Sequence, residues 1–170
     1  VMPYVKQKFR NKSSYEILTD KLVYGANPYY LPDIEHIKPM ENAACSFVLL
    51  DKDLHGLYKN KGFPNALQYD RDSARPEVLA AVAYDQEQIV GIACVSADSQ
   101  TMWQIGVDVR PAYRGNGIGV KLVNMLTIET LARGVVPYYT TDIANISSQK
   151  VAVKSGYLPA WTCLLYTSDA

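Results

Sequence analysis

The sequence predicts a mixed α/β (α+β) fold, with a twisted and mainly antiparallel sheet flanked by helices. Three observations carry that expectation. VLAAVAY and IVGIACVS are apolar runs around a short polar turn, and MWQIGVDV follows as a third run of β-favouring residues. Ile118 to Arg133 carries large apolar residues at helical spacing. VVPYYTTDI, a short polar helix and YLPAWTCLLYT then complete the pattern as strand, helix and strand.

At 170 residues the chain is long enough for one substantial core and short for two, so one domain is expected over 1–170. Its first 75 residues carry no sustained period. NPYYLPDIEHIKP, with Pro28, Pro32 and Pro39, reads as a loop bearing aromatic residues. Asp51 to Gly62 has an acidic start, apolar Leu54, Leu57 and Tyr58, and a closing glycine, which fits a short helix. From 77 to 167 the pattern is regular. A hairpin turns at DQEQ, and a second turn at Ala97 to Gln100 leads to a strand ending at Val109, giving a three-stranded antiparallel meander. In the helix that follows, Ile118, Leu122, Met125 and Leu126 share a face that Leu131 and Ala132 extend, and Gly134 behind Arg133 stops it. VVPYYTTDI is the next strand. A second helix runs from about Ser147 to Ser155, with Asn145 or Ser147 as N-cap and Gly156 as stop. The order of elements is β-β-β-α-β-α-β.

Lysine plus arginine and aspartate plus glutamate number 17 each, so no global field favours a nucleic acid or an acidic membrane as partner. The longest apolar run, near Val78 to Tyr84, is far short of the roughly 20 residues that span a bilayer. A soluble cytoplasmic protein is expected. Cys45, Cys94 and Cys163 are widely spaced, His36 and His55 lack ligating neighbours, and no metal is expected. The chain opens on Val1, as a processed product or a piece of a longer one would.

Three glycines, Gly115, Gly117 and Gly119, lie where a strand gives way to a helix. A helix N-terminus exposes unpaired N–H groups and the positive end of the helix dipole. With side chains absent, amides from Gly115, Asn116, Gly117, Ile118 and Gly119 can converge on a diphosphate, with Arg114 as a cation at the entrance. RGNGIGVKL lacks the Gly-Lys-Ser/Thr end of a P-loop. G-x-G-x-G also differs from the dinucleotide fingerprint G-x-G-x-x-G, and a hairpin precedes it instead of a βαβ unit.

The spacing Arg114-x-x-Gly117-x-Gly119 resembles the acyl-CoA signature of the GNAT superfamily of N-acetyltransferases, in a bacterial-type form. NISSQKVAVKSGY resembles that family's second signature through Asn145, Ser148, Gly156 and Tyr157. The likeness spans about Val78 to Tyr166. It implies a mixed, mainly antiparallel sheet in which the strand before the loop and the strand after the following helix splay around the cofactor. The backbone of Val107, Asp108 and Val109 would hold the pantetheine arm, Arg114 to Gly119 the pyrophosphate, and Asn145 and Ser148 the amide arm. Acetyl-CoA is the implied cosubstrate, a small-molecule, amino-acid or peptide amine the acceptor, and a monomer or homodimer the assembly.

Catalysis is less determined. Many relatives place a tyrosine acid seven residues after the helix asparagine, and Ala152 stands there. Gln104 occupies mid-strand where a carboxylate or histidine base would serve. Asp108, Asp142 and Tyr157 remain candidates. Asp108 faces the side opposite Val107 and Val109, where a solvated or turn-capping role is the plainer reading. Asp142 invites the same reading, and Tyr157 suits packing at the helix end. Trp103 and the Tyr29–Tyr30 pair are possible acceptor walls with core or surface-cluster alternatives. A non-catalytic acyl-CoA-binding or sensing domain is the second reading, and a nucleotide-binding oxidoreductase the third.

Overall fold

A computed structural model describes residues 23–166; Val1 and the rest of the first 22 residues lie outside the described region. Seven strands form one sheet in the order β2-β3-β4-β5-β6-β1-β7. They are β1 (Val23–Pro32), β2 (Ser46–Leu50), β3 (Glu77–Asp85), β4 (Gln88–Ser96), β5 (Met102–Val109), β6 (Val136–Thr140) and β7 (Tyr157–Tyr166). Two α-helices join the later strands: α1 (Ile118–Ala132) between β5 and β6, and α2 (Ile146–Lys154) between β6 and β7. Only β5 and β6 are parallel, because α1 carries the chain back across the sheet between them. The other neighbours are antiparallel.

The meander forms as its alternation predicts, with a tighter first turn. Asp85 and Gln88 are themselves paired, leaving Gln86 and Glu87 as a two-residue connection with Gln86 at φ 53°. Alternation gives the sheet two apolar faces. Leu79, Ala81, Ala83, Ala93, Val95 and Ile105 pack under α1. Ala80, Val82, Ile92 and Cys94 pack under Phe63, Leu67 and the short 3₁₀ helix Leu54–Lys59, the helix expected between Asp51 and Gly62.

Three expectations need correction. Asn27 to Pro32, read as a proline-broken loop, lies within β1, an interior strand between β6 and β7. Pro28 contributes its carbonyl, which accepts the Thr140 hydroxyl at 3.1 Å, and the ladder shifts register between Tyr29 and Tyr30. The strand VVPYYTTDI ends at Thr140, short of Asp142. Leu131 and Ala132 do not extend the buried face of α1, which continues through Thr127 and Thr130 at the four-residue spacing from Val123 and Leu126. Gly134 and Gly156, at φ 76° and 97°, end α1 and α2 as expected.

Candidate functional site

Strand β5 parts from β6 at its midpoint. Their pairing runs from Met102 opposite Val136 to Ile105 opposite Tyr139 and stops, while β5 continues along β4 until Val109 meets Gly91. Gly106 to Val109 therefore have no ladder partner on the side away from β4 among the described residues; Val107 and Val109 turn their backbone groups to that edge, whereas Asp108, like Arg110 with its N–H on the Val90 carbonyl, turns its own to β4.

The glycine loop begins where that edge ends. Pro111–Tyr113 form a 3₁₀ turn, after which Gly115 and Gly117 adopt φ of 86° and 75°, the left-handed region that a side chain would strain. Gly117 starts α1 by accepting the Lys121 N–H at 3.0 Å. Among the described residues, no acceptor meets the N–H groups of Gly115, Asn116, Gly117, Ile118, Gly119 or Val120. Arg114 folds back on its own strand, its Nε donating to the Val109 carbonyl at 3.0 Å, which stations a guanidinium at the junction of edge and loop.

Gly119 connects the loop to the second helix. A Cβ at that position would lie 3.5 Å from Val109, 3.8 Å from Val151 and 3.9 Å from Val107. The valine side chains of β5 and α2 thus pack against the first turn of α1, and Gly119 is buried beneath them. Asn145 caps α2, its Oδ1 accepting the Ser148 N–H at 3.1 Å, which settles the choice of N-cap in favour of Asn145 over Ser147. Ser148 Oγ lies 2.7 Å from the hydroxyl of Tyr139, the last β6 residue paired with β5. Burial holds that phenol's pKa above its ordinary value.

The family model described as Acetyltransferase (GNAT) family matches residues 40–157. The chain belongs to the GNAT family. No curated protein matches it. Among solved structures it is similar to a GCN5-related N-acetyltransferase from Sphaerobacter thermophilus, at 17% identity and TM-score 0.67, over 91% of this chain and 56% of that one. A GNAT-family acetyltransferase from Colwellia psychrerythraea matches at 14% identity and TM-score 0.64, over 90% and 60%. A GCN5-related N-acetyltransferase-like protein from Streptococcus suis matches at 18% identity and TM-score 0.60, over 97% and 66%. These likenesses show a shared fold, and the chain spans less than two thirds of each of those structures.

GNAT proteins generally use acetyl-CoA. The residues present fit that group: unpaired amides and a cation for a diphosphate, and a free strand edge for the amides of a pantetheine arm.

Each of the three catalytic candidates is engaged by another group. Asp108 does point to the face opposite α1, but its carboxylate accepts from Asn65 N and Nδ2, each at 2.6 Å, and from Ala66 N at 3.0 Å. It clamps the turn at 63–67 over β5. Asp142 lies in the loop beyond β6, where its carboxylate accepts the Ala144 N–H at 2.7 Å, a turn-capping contact. Tyr157 is buried beneath α1 with its hydroxyl 2.8 Å from Thr127 Oγ1. Burial raises its pKa, against the smaller opposing effect of the Thr127 hydrogen bond. Ala152 is fully buried in the same core.

Sequence reading missed several residues around the opening. Gly106 is one, since the Asn65 carbonyl oxygen lies 1.9 Å from where its Cβ would be, so the clamped turn rests on bare strand. Tyr138 is another, on the face away from α1. It donates to Asp98, lies 3.2 Å from Gln104 Oε1 and stacks on Tyr29 with ring centroids 5.8 Å apart. Burial first, and then the Asp98 hydrogen bond, keep that phenol neutral far above its ordinary range. Tyr29 stacks in turn on Trp161 at 5.2 Å, whereas Tyr30 turns inward to the core. Trp103 packs against the α1-side core and donates from Nε1 to the Ser99 carbonyl. Only the backward alternation from Asp108 to Gly106 and Gln104 hinted that these residues share a face. Among the described residues, no cluster of His, Cys, Asp and Glu could hold a metal ion, and no helix is long and apolar enough to cross a membrane.

Proposed function

We propose that the protein is an acetyl-CoA-dependent N-acetyltransferase acting on a primary amine of a small molecule, amino acid or peptide. The observation that carries the reading is the run of unpaired amides from Gly115 to Val120 beginning where the unpaired edge of β5 ends. Arg114 and the loop amides hold the diphosphate; Val107 and Val109, on either side of Asp108, hold the pantetheine arm through backbone groups; Asn145 and Ser148 flank it from α2. Acetyl-CoA supplies an activated acyl carbonyl open to attack by a neutral amine. The chain's part is to orient that carbonyl against the β5 edge, where a backbone N–H stabilises negative charge developing on oxygen. The acceptor approaches from the face bearing Gln104, Tyr138, Tyr29 and the clamped 63–67 turn, which walls one side of the opening.

One observation favours a second reading. Ala152 is buried and carries no hydroxyl, so the helix position that holds a tyrosine acid in many relatives supplies no proton here. An acyl-CoA-binding or sensing domain would have that character. Calorimetric titration with acetyl-CoA, followed by thiol release across a panel of amines, separates the two. Micromolar binding with amine-dependent thiol release supports the transferase. Saturable binding with no turnover on any amine supports sensing, and preference for NAD over CoA overturns both.

A further inference from the structure

The segment Lys38 to Ala44 runs along α1 as a strap, and its fastenings are unusual. Asn124, fully buried in the middle of α1, spends its side chain on this segment alone, accepting from Met40 N at 3.1 Å and donating to the Lys38 carbonyl at 3.1 Å. The ammonium of Lys121 donates to the Met40 carbonyl. The strap then reaches the glycine loop. Asn42 Oδ1 accepts the Ala44 N–H at 2.8 Å, which fixes its amide plane, and Nδ2 donates to the Asn116 carbonyl at 2.9 Å. The same nitrogen lies 3.2 Å from where a Cβ of Gly117 would be.

We infer that Asn42 is a positioning residue for diphosphate binding, setting the direction of the Gly117 amide. The inference rests on the acetyl-CoA reading of the loop. Across a planar trans peptide the carbonyl of one residue and the N–H of the next point in opposite directions. Holding the Asn116 oxygen on the strap therefore turns the Gly117 N–H away from the strap, where no described residue accepts it. This peptide turns about ψ of Asn116 and φ of Gly117, and a glycine on its C-terminal side, here at φ 75°, leaves it little intrinsic preference. Without Asn42 the peptide can flip, presenting a carbonyl oxygen to an anion where a donor should stand. The buried Asn124 and Lys121 keep the strap in reach of the loop before any ligand arrives, so the orienting hydrogen bond is already made in the free protein.

Two variants test this by calorimetric titration with CoA, alongside ³¹P spectra of the saturated complexes. Asn42→Ala removes the donor without adding charge; Asn42→Asp keeps the shape and the Ala44 contact but cannot donate. Both should weaken CoA binding by about tenfold or more, as loss of one oriented donor to an anion implies. In both, the two diphosphate resonances should move toward their free positions while the 3′-phosphate resonance stays. The apo melting temperature of Asn42→Ala should stay close to wild type, because the bond it removes is on the surface. Unchanged affinity and spectra in Asn42→Ala would overturn the inference, even if Asn42→Asp bound weakly through charge repulsion. Weakened binding with all three phosphorus resonances shifted together would also overturn it, as general loss of fit. If wild-type protein fails to bind CoA at all, the reading of the loop itself falls.

Discussion

Replacing Gly106 with alanine would set a methyl carbon 1.9 Å from the Asn65 carbonyl oxygen and 3.0 Å from its carbon, both backbone atoms. Carbon and oxygen approach to about 3.3 Å at closest in ordinary packing, so the turn or the strand must yield by more than about 1 Å. Neither is free to do so. β5 is held by its ladder with β4 through Val109, and the turn is held by three bonds to the Asp108 carboxylate and by Phe63 and Leu67, both fully buried against β3 and β4. Overpacking alone costs about 1–3 kcal/mol. Losing part of a charge-assisted clamp adds about 1–2 kcal/mol, reduced because the freed carboxylate regains water. The sum is roughly 2–5 kcal/mol. Urea denaturation of wild type, Gly106→Ala, Asp108→Ala and the double variant measures it. If the methyl acts by prising the clamp open, the two costs overlap and the double variant loses less than their sum. A cost for Gly106→Ala below about 0.5 kcal/mol, or full additivity, would refute the reasoning.

Gly119→Ala should leave urea stability within about 1 kcal/mol of wild type, because its Cβ meets only ordinary contacts and alanine suits a helix. Asn145→Ala removes the cap bond to Ser148 N, and the melting curve should report about 1 kcal/mol lost. Alkaline titration tests Tyr58, Tyr138 and Tyr157, whose pKa values burial holds above the ordinary tyrosine range, helped by Glu77 for Tyr58 and Asp98 for Tyr138. The unfolded phenols ionise near about 10 while the folded ones stay neutral, so this stability is full below about pH 10 and is lost as pH climbs toward the folded values. Absorbance of phenolate should accordingly lag until circular dichroism reports unfolding; complete ionisation in a still-folded protein would contradict the burial.

Much of the fold and the conformation of the glycine loop were legible because both depend on local rules. Alternation wrote β3, β4 and β5, helical spacing wrote α1, and positive φ required glycine at 115, 117, 134 and 156. Pro28 and Pro32 misled for an equally local reason. They signal a break in a solitary strand, yet β1 survives between two neighbours that supply the remaining bonds. Tyr157 and Asp142 were attractive by type and position, and packing gave them other partners.

By itself the chain determined which of the later segments become strands and helices and that a glycine-rich loop opens α1, since those follow from side-chain period and backbone freedom along a few residues. Tertiary structure decided what faces that loop. Asn42 meets Asn116 from 74 positions away, Asp108 finds Asn65 from 43, and Gly106 is bare because another segment's backbone lies on it. No period in a single chain encodes such meetings, because they arise only once the sheet has folded distant segments against one another.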